Sequence, residues 1–314
     1  MAERTLTLTP NAALDIWTTT KTVTSGPKLR CSAPRFDAGG GGINVSRVIH
    51  RLGGQTVALY AAGGSSGARL THALAAEQVP ALRVDTEEET RQSFNVCEEA
   101  DGGVFRFVLP GPQVHAMEGE ALLACLDGEA QAGDLVVGSG SLPPGLARDY
   151  WAGAAQRVHA AGGRFILDSA HGVAEALKVG VWLLRLNHDE AAAMAGGPLR
   201  WPDQAARWAA DTVAANGTAA VIVTQGAEGA ILATPDTQLR VRPPQGIRVL
   251  SAIGAGDSFI GGLCLGLTRG DDLPTALRLA VATATATLLT PGTELCRKAD
   301  VDRLLQDTGQ VVTV

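Results

Sequence analysis

The sequence predicts an α/β fold: a mostly parallel sheet flanked by helices, with a second, small β-sheet beside it. Short apolar runs that end in a polar residue, Asp134–Ser139, Phe165–Asp168, Trp182–Asn187 and Ala220–Thr224, are each followed by a helical stretch. Such runs mark parallel strands joined by crossover helices, because a strand covered on both faces has no solvent side to keep polar. A different texture surrounds the Asp101-Gly102 turn signal, where Ser93–Glu99 and Val104–Val108 alternate and read as a β-hairpin. At 314 residues the chain suits one large α/β domain with an appendage, or two ordinary domains.

In chain order, a strand-like alternation begins at once from Thr5 to Leu8, with no charged leader and apolar stretch before it. No apolar run approaches the ~20 residues that span a bilayer, so the expected location is the cytoplasm. The segment from about Asp15 to Phe36 joins the hairpin in a small sheet that projects from the main body as a lid. Its apolar face could equally pair with a second copy of the chain, since an uncovered sheet is a liability.

Four glycines, Gly39–Gly42, then precede a helical pattern that stops at Gly53-Gly54. A ligand can approach such a backbone closely, and Asn44 on the first turn can bond hydroxyls. The alternative, a flexible connection, explains Gly53-Gly54 well and the run of four poorly. The spacing matches neither the dinucleotide fingerprint G-x-G-x-x-G nor the Walker loop. Further on, the polar residues that close the four runs, Ser139, Asp168, Asn187 and Thr224, would line one crevice beyond the carboxyl ends of the strands, where open α/β sheets bind ligands.

Gly254–Gly262, which reads Gly-Ala-Gly-Asp-Ser-Phe-Ile-Gly-Gly, says most about chemistry. Its glycines let successive N–H groups converge on an anion at the positive end of a helix. Asp257 among those donors would repel phosphate unless it takes the proton of a hydroxyl attacking phosphorus. An N-cap Asp ahead of a Gly-Gly packing site is the other reading, and both stand at this point.

Composition narrows the classes. A net charge of −6 argues against a nucleic-acid surface and against anionic membranes. Five scattered cysteines without a C-x-x-C offer neither a disulfide framework nor a zinc site, and the six histidines form no H-x-x-x-H pair. Ser141 lies in Gly140-Ser141-Leu142-Pro143-Pro144-Gly145, which is not a G-x-S-x-G elbow. Trp201 and Trp208, spaced i, i+7, read as core packing of a helix, and Glu87-Glu88-Glu89 as a solvated turn.

The segments Gly39–Gly54 and Gly254–Gly262, in this order and about 200 residues apart, resemble the two signatures of the ribokinase-like (PfkB) sugar kinases, and the resemblance spans essentially the whole chain. Thr5–Pro10, Lys28–Cys31, Gly39–Val45, Arg106–Gly111 and Ser139–Gly145 are most similar to the 6-phosphofructokinase branch. Relatives acting on tagatose 6-phosphate and fructose 1-phosphate usually carry Lys at the third glycine of the run, where this chain has Gly41. The resemblance implies one kinase domain over 1–314, with a β-sheet lid from about 15–36 and 91–109 that also joins a homodimer. It implies ATP-dependent phosphorylation of fructose 6-phosphate at its 1-hydroxyl. A tagatose-6-phosphate kinase, a 1-phosphofructokinase and an inactive sugar-phosphate-binding regulator are the alternatives.

Carried over by position, Asp257 is the base and Gly254, Ala255 and Gly256 the anion hole. Asp15, Gly40, Gly41 and Asn44 would hold sugar hydroxyls, and Arg91 with Lys28 and Arg30 the phosphate already on the sugar, with Ser141 in the same acceptor group. Asn187 and Glu190 match the family's Asn-x-x-Glu, which positions magnesium through water and the phosphates of ATP. Thr224, Gly226 and Gly229 match the nucleotide-side loop. Arg185 stands where this branch has the Lys of Lys-Pro-Asn and would hold the triphosphate. Ser251, Ile253 and Thr290–Gly292 occupy the region where the family often binds a monovalent cation such as K+.

Overall fold

Residues 4–314 are described by a computed structural model, in which the first strand, β1 (Thr5–Thr9), lies in the interior of a ten-stranded sheet. β2 (Ala13–Thr20) and β3 (Arg35–Gly39) leave that sheet, and α1 (Gly41–Arg51), β4 (Thr56–Ala62), α2 (Gly64–Ala76) and β5 (Ala81–Asp85) return to it. The hairpin β6 (Arg91–Glu98) and β7 (Val104–Val108) rejoins β2 and β3. Alternation then resumes through α3 (Ala116–Glu129), β8 (Leu135–Ser139), α4 (Tyr150–Ala160), β9 (Arg164–Asp168), α5 (Val173–Val179), β10 (Leu183–Asn187), α6 (His188–Met194), α7 (Asp203–Asn216) and β11 (Ala220–Thr224). β12 (Ala230–Ala233) and β13 (Gln238–Val241) add antiparallel strands, α8 (Ala255–Thr268), α9 (Leu273–Thr287) and α10 (Lys298–Asp307) follow, and β14 (Val312–Thr313) closes the edge.

The strand order is β14-β13-β12-β11-β10-β9-β8-β1-β4-β5, parallel from β11 to β5. Both faces of β8, β9 and β11 are buried, which is why these strands read as continuous apolar runs, whereas the edge strand β5 is half exposed. Val136, Phe165, Leu184 and Val221 pack on one side against Leu122, Trp151 and Val158 of α3 and α4. Leu135, Ile166, Leu183 and Ile222 pack on the other against Val45 of α1, Phe259 and Leu263 of α8, and Leu277 of α9. Each such side chain contributes about 1.5–3 kcal/mol through its removal from water. The Gly261-Gly262 pair serves helix packing: a Cβ at Gly262 would meet Thr283 Oγ1 at 2.5 Å, and one at Gly261 would meet Val48 at 2.6 Å.

The small sheet has the order β3-β2-β6-β7. Its register aligns Phe36, Ile16, Phe94 and Phe107 in one row, and Asp37, Asp15, Ser93 and Val108 in the next. Successive side chains point to opposite faces, so one face is apolar and the other carries Asp15. The polar face is anchored to the body, with Trp17 packed against Gly292 and Arg35 Nη2 donating to Pro291 O (3.3 Å).

Two local readings change. Trp201 lies ahead of Pro202, and α7 begins only at Asp203, so the two tryptophans do not share a helix although both pack on the same core. The glutamates at 87–89 are not simply solvated. Glu89 Oε1 accepts from Ser66 N (2.9 Å) and thereby holds the first turn of α2.

Candidate active site

The carboxyl ends of β8, β9, β10 and β11 form one edge, with Ser139 opposite Asp168 and Asn187 opposite Thr224. Side chains tie this edge together. Ser139 Oγ donates to Asp168 Oδ2 (3.0 Å), Arg185 Nη1 to Asp168 Oδ1 (2.9 Å), and Arg185 Nη2 to Thr224 Oγ1 (2.7 Å).

The start of α8 faces that edge. Gly254 takes a left-handed φ of 75°, and a Cβ there would meet Leu295 at 2.5 Å, so the position calls for glycine. Ala255 N–H turns back toward Ala252 O (3.3 Å). Gly256 lies against the Arg185 guanidinium, whose nitrogens would stand 3.0 and 3.2 Å from a Cβ at that residue. An anion drawn to the first turn of α8 therefore meets a fixed positive charge as well as backbone N–H groups.

Asp257 is the third residue of α8, and its side chain does not cap the helix. Its Oδ2 accepts from Asn44 Nδ2 (2.8 Å), which arrives from the first turn of α1. Of the two sequence readings, the cap is thus not how the carboxylate is used. Desolvation and the neighbouring Asp168 push its pKa up to about 7, against the Asn44 hydrogen bond and Arg185. A carboxylate near neutrality is suited to accept a proton.

On the acceptor side the glycine run is dictated by close approach. Gly40 has φ 114°, a Cβ on Gly41 would overlap Ser139 Oγ, and one on Gly42 would meet Thr9 Oγ1 at 2.5 Å. Asp15 is buried beside this run, and burial raises its pKa to about 6 against the pull of Arg91 and Arg47. Arg91 Nη2 donates to Asn11 O (3.3 Å), and Asn11 Nδ2 donates to Ser141 Oγ (3.0 Å). Asn11 is thus the link between Arg91 and Ser141, which no spacing in the sequence indicated. Asn11 Oδ1 and Arg91 Nε are buried here without a partner. Lys28 and Arg30 are not brought in; both lie exposed in the stretch between β2 and β3.

On the donor side a cavity of about 480 Å³ is lined by Arg185, Thr224, Gly226, Gly229, Ala255 and Gly256. Most of its remaining wall is apolar, built by Pro243, Pro244, Ile247, Val249, Ala284 and Leu288, with Gln245 and Thr285 among them. That wall carried no sequence signal, because isolated apolar residues from a loop and a helix look like ordinary core. Asn187 and Glu190 form a reciprocal capping box at the start of α6: Glu190 N donates to Asn187 Oδ1 (2.9 Å), and Asn187 N to Glu190 Oε2 (2.8 Å). Glu190 keeps its second oxygen, and no cluster of three or more metal-ligating side chains exists among the described residues. That donor set suits magnesium held through water and nucleotide phosphates and not in an all-protein cage.

Residues 11–300 match the pfkB family carbohydrate kinases. The chain belongs to this family. The kinase is 39% identical over 303 residues to the ATP-dependent 6-phosphofructokinase isozyme 2 of Mycobacterium tuberculosis, covering 96% of this chain and 89% of that one. It is 36% identical over 302 residues to the Escherichia coli protein of the same name, covering 96% of each. Its fold matches the crystal structure of E. coli phosphofructokinase-2 in complex with substrates and products at a TM-score of 0.91, with 35% identity, over 96% of this chain and 98% of that one. The pfkB kinase therefore has the ribokinase-like α/β architecture, in which the two glycine segments that resembled the family signatures meet at the Asn44–Asp257 hydrogen bond.

Proposed function

We propose that this pfkB kinase transfers the γ-phosphoryl of ATP to the 1-hydroxyl of fructose 6-phosphate, giving fructose 1,6-bisphosphate and ADP. The observation that carries the reading is the meeting of two half-sites at the first turn of α8. The donor cavity reaches Gly256 from one side, and Asn44, which follows the glycine run, reaches Asp257 from the other. The M. tuberculosis and E. coli relatives are named for this reaction, which supports the choice of acceptor. Gly41 supports it too, since with Ser139 tied to Asp168 there is no room for a side chain at the position where relatives acting on other ketose phosphates carry Lys.

In the proposed mechanism Asp257 accepts the proton of the attacking hydroxyl, held by Asn44, Asp15 and the backbone of Gly40 and Gly41. Arg91, with Asn11 and Ser141, holds the phosphate already on the sugar; Lys28 and Arg30 would have to swing in from solvent. Arg185 and the N–H groups of Gly254 and Gly256 stabilise charge on the phosphoryl in flight, whereas the Ala255 N–H, expected to share that role, is turned to Ala252 O. Magnesium, when bound with ATP near Asn187 and Glu190, neutralises phosphate charge. A monovalent cation in the region of Ser251, Ile253 and Thr290–Gly292 is supported by the E. coli enzyme, which has been crystallised in complex with potassium.

A coupled ADP-release assay across free and phosphorylated sugars tests the reading. Fructose 6-phosphate should be the best acceptor, and free fructose or ribose poor ones. Faster turnover of tagatose 6-phosphate or fructose 1-phosphate would move the enzyme to a rival branch, and efficient phosphorylation of unphosphorylated sugars would sink the sugar-phosphate assignment.

We also propose a homodimer through the small sheet, which closes over the cleft as a lid. On its apolar face Phe107 is 53% exposed, with Phe94 and Phe105 also open, so a two-fold mate would remove three aromatic rings from water. Phe107 shares its row with Ile16 and Phe94, opposite to Asp15, so a charge there does not touch the cleft directly. Phe107→Asp should therefore yield a monomer in sedimentation, with weakened fructose 6-phosphate binding. A variant that stays dimeric and fully active would show that this face is not the interface.

A further inference from the structure

We infer that Arg47 is a positioning residue for phosphoryl transfer: clamped by Glu77, it fixes the Asn44 amide so that its NH₂ group faces Asp257. The inference rests on the reading of Asp257 as the base. Arg47 lies on α1 and is 2% exposed. Its Nε and Nη2 donate to the Glu77 carboxylate at the end of α2 (2.9 and 2.6 Å), and its Nη1 donates to Ala38 O in β3 (2.8 Å) and to Asn44 Oδ1 (3.2 Å).

An amide can present either its oxygen or its nitrogen to a neighbour, and the two ends have nearly the same shape. A guanidinium has only donors, so the Asn44 oxygen must face Arg47. The NH₂ group is then turned toward Asp257, where Nδ2 donates to Oδ2 at 2.8 Å. This occupies one carboxylate oxygen and leaves the other for the acceptor hydroxyl. A buried guanidinium is expensive to desolvate, and this one also ties α1 to Ala38 O of β3 and reaches Thr293 O (3.5 Å), so a structural role has to be separated from a positioning one by melting. Glu77 stays tethered without Arg47, because Arg51 Nη2 binds Glu77 Oε2 (3.1 Å) and Arg51 reaches the carbonyls of Glu294 and Cys296.

Without Arg47 the amide is free to flip and set its oxygen against the carboxylate. Asp257 would then keep its proton to higher pH. The groups that face Asp257 are Asn44 of α1, Asp168 of β9, Arg185 of β10 and Asp15 of β2. Arg47 itself faces Glu77 and Asp15, so its charge also acts directly on Asp15.

The test is the pH profile of kcat/KM for fructose 6-phosphate with Arg47→Met, made in the wild-type and Asn44→Ala backgrounds, together with thermal melting of each protein. In the wild-type background the acidic limb should move up by about one pH unit, while KM for ATP holds. In the Asn44→Ala background the shift should be clearly smaller, since only the direct effect on Asp15 remains. Arg47→Lys, which keeps a donor, should restore part of the limb. An unmoved limb with lowered melting temperature, or equal shifts in both backgrounds, would overturn the inference and leave Arg47 a structural residue. If Arg47→Met does not fold, Arg47→Lys and Glu77→Gln carry the test, with smaller upward shifts expected and unmoved limbs in both overturning it. Failure of the underlying reading looks different: Asp257→Asn would then retain turnover.

Discussion

Asp257→Asn should lower turnover by roughly 10²–10⁴-fold, the usual cost of losing a general base, while fructose 6-phosphate and ATP still bind. The amide fills the same space and can accept from Asn44 through its oxygen, but it cannot take a proton. In the wild-type protein kcat/KM should rise with pH through about 7, as Asp257 loses its proton in the free enzyme, and the residual activity of the variant should lack that limb. The stability effect has a definite sign. The carboxyl is raised in the folded protein from its ordinary 3.8 to about 7, so the folded state holds the proton over a range where the unfolded chain has released it. Its burial therefore costs stability progressively as pH climbs through that window. The Asn variant, free of this cost, should gain in melting temperature relative to wild type at pH 8 and not at pH 3. Turnover within about threefold of wild type would remove Asp257 from the mechanism, since a general base is worth far more than that.

Arg91→Ala should raise KM for fructose 6-phosphate by roughly 30- to 1,000-fold, the equivalent of about 2–4 kcal/mol for a lost charge contact in a desolvated site. KM for ATP should change little, because the donor cavity lies across α8. Arg91 sits on β6 with one nitrogen bonded to Asn11 O and its buried Nε without a partner, beside Asp15, whose charge supports its own. A guanidinium so placed has donors to spare for a phosphate. If Arg91 instead serves only to neutralise Asp15, the KM effect should be small for fructose 6-phosphate and for free fructose alike. Equal changes in KM for sugar phosphate and ATP would count against a contact with the acceptor.

Much of this protein was legible before any fold was known. The four strands ending at Ser139, Asp168, Asn187 and Thr224, the hairpin around Asp101-Gly102, and the glycine segments before α1 and α8 are all properties of short windows of chain. Apolar runs, turn residues and glycines at forced φ angles act on neighbours a few residues apart, so sequence alone determines them. What sequence could not decide lies between windows. Asn44 meets Asp257 across 213 residues, Asn11 meets Ser141 across 130, and the apolar wall of the donor cavity joins the loop at 243–249 to Ala284 and Leu288 of α9. The same holds for the face on which Phe107 sits, since a shift of one residue in register would exchange it with Val108. The Asn-x-x-Glu pair marks the limit from the other direction: four residues were enough to recognise it, yet the structure ties its backbone and side chains into a helix cap. Local pattern selects which residues enter helices and strands. Which donor then faces which acceptor is settled only when packing removes the alternatives, as the Arg47 guanidinium does for the Asn44 amide.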